Sequence, residues 1–127
     1  MGENGMYRIL VCDDERDIVS ALRIYLTAEG YEVLEAYNGS EMLRLAATQE
    51  VHLILLDVMM PGMDGYGLLN VIRSSGVPGT DTVPVIALSA SVENENTHYL
   101  EVGFTGFLNK PFTAKQLIAL LNNLLQA

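Results

Sequence analysis

Short apolar runs alternate along the chain with longer stretches whose apolar positions recur at three- and four-residue spacing. The first run, residues 8–12 (RILVC), is apolar and β-branched and stops sharply at Asp13-Asp14-Glu15. Beyond it, Ile18, Leu22, Tyr25 and Leu26 recur at helical spacing over residues 17–29, and Gly30 is the residue type that ends a helix. Residues 31–36 read as a second strand, with Asn38-Gly39 as a turn into a helix over 40–49. Residues 52–56 (HLILL) are apolar on both faces, as a central strand requires, and end at Asp57. A loop through Met60-Pro61-Gly62-Met63-Asp64-Gly65 leads to a helix over 66–74, and residues 76–82 form a longer connector. A fourth strand over 84–88 ends at Ser89, and a weaker helix over 92–102 is followed by Gly103. A short fifth strand at 106–108 precedes Asn109-Lys110-Pro111, and a last helix covers 113–125.

Five β–α units on this scale predict an α/β fold, with a mostly parallel sheet and helices on both faces. Right-handed crossovers leave few strand orders open. The expectation is a flavodoxin-like, doubly wound (βα)5 fold with a five-stranded sheet in the order 2-1-3-4-5. Its ligand crevice opens where strands 1 and 3 diverge, at their carboxyl ends. That order brings Asp13 and Asp14 next to Asp57.

Composition narrows the setting. The chain has 127 residues, half of them apolar, which suits one domain that removes roughly two thirds of its surface from water. With 16 acidic against 7 basic residues the net charge is −9. That opposes nucleic-acid binding, where clustered Lys and Arg neutralise phosphates, and docking on anionic membranes. No apolar stretch approaches the ~20 residues that span a bilayer, and residues 1–7 lack the apolar core of a signal peptide. The single cysteine, Cys12, lies in the first apolar run and reads as inert core in a reducing cytoplasm. We therefore expect a cytoplasmic domain over residues 6–127 behind a flexible extension of residues 1–5, with no nucleic-acid or membrane partner.

Three clustered carboxylates are costly without a cation, since like charges ~4 Å apart repel by ~4 kcal/mol at an effective dielectric of 20. Oxygen-only ligands point to a hard divalent ion, Mg2+ or Mn2+. Ser89 and Lys110 end strands 4 and 5 on the same rim, and a hydroxyl with an ammonium there suits a tetrahedral oxyanion. Such a site accepts a phosphoryl group onto one carboxylate by in-line attack. Asp13 and Asp14 are adjacent and can share the metal, which leaves Asp57, alone at the end of the central strand, as the nucleophile.

The chain resembles the receiver domains of bacterial two-component response regulators over nearly its whole length. The residues that carry the likeness are Asp13-Asp14-Glu15, Asp57 with the loop Met60 to Gly65, Ala87-Leu88-Ser89-Ala90, and Lys110-Pro111-Phe112. The resemblance implies a signalling switch rather than an enzyme, in which Asp57 accepts a phosphoryl group from a histidine kinase or a histidine phosphotransfer protein. It also implies that Asp13, Asp14, Asp57 and the backbone carbonyl of Met59 bind Mg2+. Lys110 contacts the phosphoryl oxygens, and a cis Lys110-Pro111 bond aims that lysine. Ser89 and Phe107 form the switch: the hydroxyl moves toward new negative charge and the ring fills the vacated space. The helix at 92–102, the fifth strand and the last helix are then the face biased by phosphorylation. Ile18 and Pro111 would help dock the donor.

Several positions depart from the commoner family pattern. Phe107 stands where tyrosine is common, and Ser89 where threonine is. Met59 occupies a position where some members carry a polar group that places the hydrolytic water. With the small, neutral Ser91 this leads to the expectation of a slowly hydrolysed aspartyl phosphate. The loop Gly103-Phe104-Thr105-Gly106 lacks the acidic residues, and the last helix the basic ones, by which some DNA-binding relatives dimerise. In that helix Leu117, Leu120, Leu121 and Leu124 form a core stripe, while Ile118 and Leu125 form a second apolar row available to a partner.

Other readings account for less. Helix capping by Asp13 and Asp14 explains neither Ser89 nor Lys110. An FMN carrier of this fold wants a hydroxyl- and glycine-rich phosphate loop where Asp13-Asp14-Glu15 stands. An aspartyl phosphohydrolase would usually have a second aspartate at Met59. A receiver degenerated into a binding module lacks at least one active-site group, and all are present here. His52 and His98 have no ligand partners at metal spacing, and Phe104 and Tyr99 read as packing residues.

Overall fold

Strand β3 (Leu53–Asp57) has no exposed residue, because the sheet continues on both of its edges and helices cover both of its faces. The computed structural model describes residues 7–60, 62, 64–75, 81–90 and 103–125. Around β3 lie β1 (Arg8–Cys12), β2 (Glu32–Ala36), β4 (Val85–Ser89) and β5 (Gly106–Asn109). All pair in parallel, in the order β2-β1-β3-β4-β5. The helices are α1 (Arg16–Ala28), α2 (Gly39–Thr48), α3 (Gly65–Ser74) and α4 (Ala114–Leu125). The expected doubly wound α/β fold is the one observed. The helix expected at 92–102, together with Ser91, His98 and Tyr99, lies outside the described residues, as does the extension of residues 1–5. No helix among the described residues is long and apolar enough to cross a membrane.

The pleat sorts the core into two layers. Leu10, Cys12, Ile54, Leu56, Val85 and Ala87 face Met42 and Ala46 of α2 and Leu68, Leu69 and Ile72 of α3. Ile9, Val11, Leu53, Leu55, Ile86, Leu88 and Leu108 face Val19, Leu22 and Leu26 of α1 and Leu117 and Leu121 of α4. Burying each Leu or Ile side chain contributes about 1.5–3 kcal/mol, so both layers resist any slip in register. Of the stripe expected on α4, Leu117 and Leu121 are buried, while Leu120 and Leu124 are half-buried. Ile118 and Leu125 also pack on this core layer rather than standing free.

Local signals set the element ends. Asn38 caps α2 by accepting the Glu41 N–H at 2.9 Å, and the Glu41 side chain accepts the Tyr37 N–H at 2.7 Å. Thr113 caps α4: its hydroxyl accepts the Gln116 N–H at 3.1 Å and its own N–H donates to Gln116 Oε1 at 2.9 Å. Thr113 is thus the residue before the helix rather than its first turn. Gly30, at φ +89°, reverses the chain after α1. Strands β3 and β4 each run one residue further than the apolar pattern indicates, through Asp57 and Ser89, because the ladder continues: Val58 donates to the Leu88 carbonyl at 3.1 Å and Lys110 to that of Ser89 at 2.7 Å.

The loop after β3 is pinned where α3 begins. Asp64 caps α3 through the Tyr66 N–H at 3.0 Å, and Gly65 lies so close to Val58 that a Cβ on it would meet the Val58 Cα at 2.7 Å. An alanine in a helix ordinarily stabilises by up to about 1 kcal/mol relative to glycine. Gly65→Ala is expected to do the opposite, costing about 1–3 kcal/mol through overpacking against backbone, as urea denaturation will measure.

Candidate functional site

The carboxyl ends of the strands gather the charged residues. Asp13 follows β1 and is held to the sheet by its N–H, which donates to the Ala36 carbonyl at 3.1 Å. Asp13 is fully buried, and Asp57 is 3% exposed. Each uses one oxygen to close a turn at its strand end: Asp13 Oδ1 accepts the Glu15 N–H at 3.0 Å, and Asp57 Oδ1 accepts the Met59 N–H at 2.8 Å. Their other oxygens converge on Lys110, whose Nζ lies 2.8 Å from Asp13 Oδ2 and 3.3 Å from Asp57 Oδ2. Glu15 Oε1 completes the shell at 3.2 Å. The helix-capping reading of the acidic run is thus true of one Asp13 oxygen, while the other serves the cluster.

Pleat parity explains the meeting. Asp13, Asp57 and Lys110 continue the rows of Val11, Leu55 and Leu108, which face α1 and α4. Ser89 and Phe107 continue the opposite rows. Ser89 is fully buried at the end of β4. Phe107 is half-buried against the α2–α3 layer, with the small Ala87 as its partner in register on β4.

Above the cluster opens a cleft of about 260 Å³, lined by Asp14, Glu15, Asp57, Met59, Ala90 and Lys110. The Met59 side chain is 69% exposed at its rim. Ser89, Phe107, Ile18 and Pro111 do not line the cleft. Ile18 is half-buried and packs on the α1 side of the core, and Pro111 is exposed behind a cis peptide bond to Lys110. A larger apolar groove of about 440 Å³ lies between α1 and α4, with Ile24, Tyr25, Ala28 and Ile118 among its walls.

Four carboxylates belong to the cluster rather than three. One oxygen each of Asp13, Asp14, Glu15 and Asp57 lies within 4.8 Å of the others. Glu15 is the member of the cluster that the reading from sequence did not single out, although it directly follows Asp13-Asp14 in the same acidic run. The donors are all oxygen, which fits a hard divalent cation. With one ammonium against four carboxylates, a divalent ion leaves the cluster at −1.

The charge imbalance registers in the titration of the groups. Burial pushes the Asp13 carboxyl up to about 6, and the Asp57 charge adds to this, against the opposing pull of Lys110 and the Glu15 N–H. Burial draws Lys110 down, but its bond to Asp13 and the charges of Asp13 and Asp57 outweigh it and hold the ammonium above its ordinary value. Burial also pushes the Cys12 thiol up to about 12, so it is no nucleophile.

A carboxyl whose folded value lies above its unfolded one opposes folding at high pH, and that cost disappears below the unfolded value. In metal-free protein at pH 7, Asp13→Asn is therefore expected to raise stability by up to about 2 kcal/mol, a figure reduced because the cleft is open to solvent. The gain should shrink as pH falls through about 6 toward the ordinary aspartate value of 3.8, as paired denaturation curves of the two proteins will report.

With this geometry in view, the comparisons with known proteins agree with one another. The response regulator receiver domain model matches residues 9–122. The "probable transcriptional regulator ycf27" of Porphyra purpurea is 39% identical over 125 residues, covering 98% of this chain and 49% of the relative. The protein of the same name from Cyanidium caldarium is 36% identical over 121 residues, covering 94% of this chain and 47% of that one. The chain thus spans about half the length of the curated relatives it matches. Among solved structures, the chemotaxis response regulator CheY4 of Vibrio cholerae superposes with a TM-score of 0.86 at 30% identity, covering 94% of this chain and 99% of that one. The receiver domain of Francisella response regulator 1452 gives 0.82 at 32% identity, with 93% and 95% covered.

Proposed function

The chain belongs to the response regulator receiver family, which makes it a component of two-component signalling, and on that premise we propose that Asp57 is its phosphoacceptor. The donor is the phosphohistidine of a histidine kinase or of a histidine phosphotransfer protein, and the setting is the cytoplasm. The observation that carries the reading is the division of labour at Asp57. Its Oδ1 is held by the Met59 N–H at 2.8 Å, while Oδ2 faces the cleft beside Lys110 at 3.3 Å. One oxygen orients the carboxylate and the other is the nucleophile.

In the transfer, Oδ2 forms an O–P bond as the P–N bond to the donor imidazole breaks in line, and the leaving nitrogen retains the electron pair. Asp13, Asp14, Asp57 and the Met59 carbonyl are the residues to hold Mg2+ or Mn2+. When bound, the ion offsets the charge on the phosphoryl oxygens and so permits a carboxylate to approach them. Lys110 leaves the Asp13 carboxylate for a phosphoryl oxygen, and Ser89 turns its hydroxyl toward another. Ala87 leaves room for the Phe107 ring to move inward, since no larger side chain opposes it in register. β5 and α4 belong to the responding face. Ile18 and Pro111 lie on the donor's docking side. The protein is a switch and not an enzyme with turnover.

Incubation with acetyl phosphate and Mg2+ is expected to add the mass of one phosphoryl group to the intact protein. Asp57→Asn or removal of Mg2+ should abolish the gain, and an equal gain in Asp57→Asn would refute the assignment. The apolar, exposed Met59 offers no group to orient an attacking water, so the phosphorylated protein should decay over minutes or longer in Mg2+. A lifetime of seconds would contradict that part.

A further inference from the structure

The contact between Lys110 and Glu15 has no part in the transfer just described. Glu15 is the N-cap residue of α1, yet its side chain makes no capping bond. A glutamate is not among the residues that cap well, and Asp13 serves instead by accepting the Glu15 N–H at 3.0 Å. The Glu15 backbone is fixed all the same, because its carbonyl accepts the N–H groups of Ile18 and Val19, both at 3.1 Å. The carboxylate is left to reach Lys110 Nζ at 3.2 Å, a contact that spans 95 residues of chain. The two partners differ in setting: the Glu15 side chain is 61% exposed and that of Lys110 is 12% exposed. Glu15 thus holds the ammonium from the solvent side of the cleft.

We propose that Glu15 is a positioning residue, one that holds Lys110 in the unphosphorylated state and thereby sets how readily the phosphorylated state is reached. The proposal rests on the receiver reading above. To bind a phosphoryl oxygen, Lys110 must give up partners. A divalent cation held by Asp13, Asp14, Asp57 and the Met59 carbonyl replaces it at Asp13 and Asp57, whereas Glu15, outside that set and 61% exposed, is left to water. The Glu15 contact therefore stabilises the resting arrangement alone. Releasing it shifts the two-state equilibrium by the full strength of a half-exposed ion pair.

The test is beryllofluoride, a phosphoryl mimic, titrated at saturating Mg2+ into wild type, Glu15→Gln and Glu15→Asp. Saturating Mg2+ removes any change in metal affinity from the readout. If Glu15 acts through its contact, both variants bind the mimic about two- to five-fold more tightly than wild type. Glu15→Asp keeps the charge but is one methylene too short for the contact. Tighter binding by Glu15→Gln with Glu15→Asp at the wild-type value would overturn the proposal in favour of a plain field effect. Weaker binding by Glu15→Gln would overturn it as well and make Glu15 a support of the metal site. Unchanged binding in both variants, with wild type responding, would remove the positioning role alone. If wild type itself takes neither the mimic nor a phosphoryl group from acetyl phosphate, the receiver reading falls and this one with it.

Discussion

Repulsion among carboxylates governs this molecule's chemistry, and Lys110 is what makes the cluster tolerable. The ammonium contacts Asp13, Glu15 and Asp57 at once, between 2.8 and 3.3 Å. Two of those carboxylates have almost no exposed surface, so water cannot screen them well. A structural protein would have no use for such an arrangement. A cluster of oxygen donors with that repulsion built in fits a hard divalent cation, whose charge offsets it. Burial, with the Asp57 charge adding to it, raises the Asp13 carboxyl in the metal-free protein.

The sheet holds this cluster in place. Central β3 is buried along its length, and its register with β1 and β4 positions Asp57 against fixed neighbours. The turn after it is locked by Met59 N–H to Asp57 and by the close approach of Gly65 to Val58. Glycine at that position is a packing requirement, since its φ is unexceptional. Asp57 therefore ends the fully buried central strand, while Met59, Ala90 and Lys110 line the cleft beside it.

Much of this was legible in the chain alone. The apolar run before Asp57 and the glycine after α1 gave the elements. Crossover handedness left few strand orders open, and the doubly wound order expected among them is the one that brings Asp13 to Asp57. Glu15 was not legible in the same way. Its role depends on a contact to Lys110 at the far end of the sequence, and a single glutamate after two aspartates looks like the start of a solvated helix. The half-buried state of Ile118 and Leu125 was hidden for a related reason: helical spacing shows which residues share a face, not how far the neighbouring sheet and α1 extend to cover it.

The two faces of the sheet divide the work. Asp13, Asp57 and Lys110 continue rows that face α1 and α4, whereas Ser89 and Phe107 continue rows on the α2–α3 side. The two groups meet at the end of the β4–β5 ladder, where the Lys110 N–H donates to the Ser89 carbonyl at 2.7 Å. That bond joins the backbone of the lysine in the cluster to the backbone that carries the buried hydroxyl. The Lys110 main chain is tied to β4 there, while its side chain is held by Asp13, Glu15 and Asp57. On the other side of the sheet, Ala87 opposes Phe107 in register and gives its ring a small neighbour.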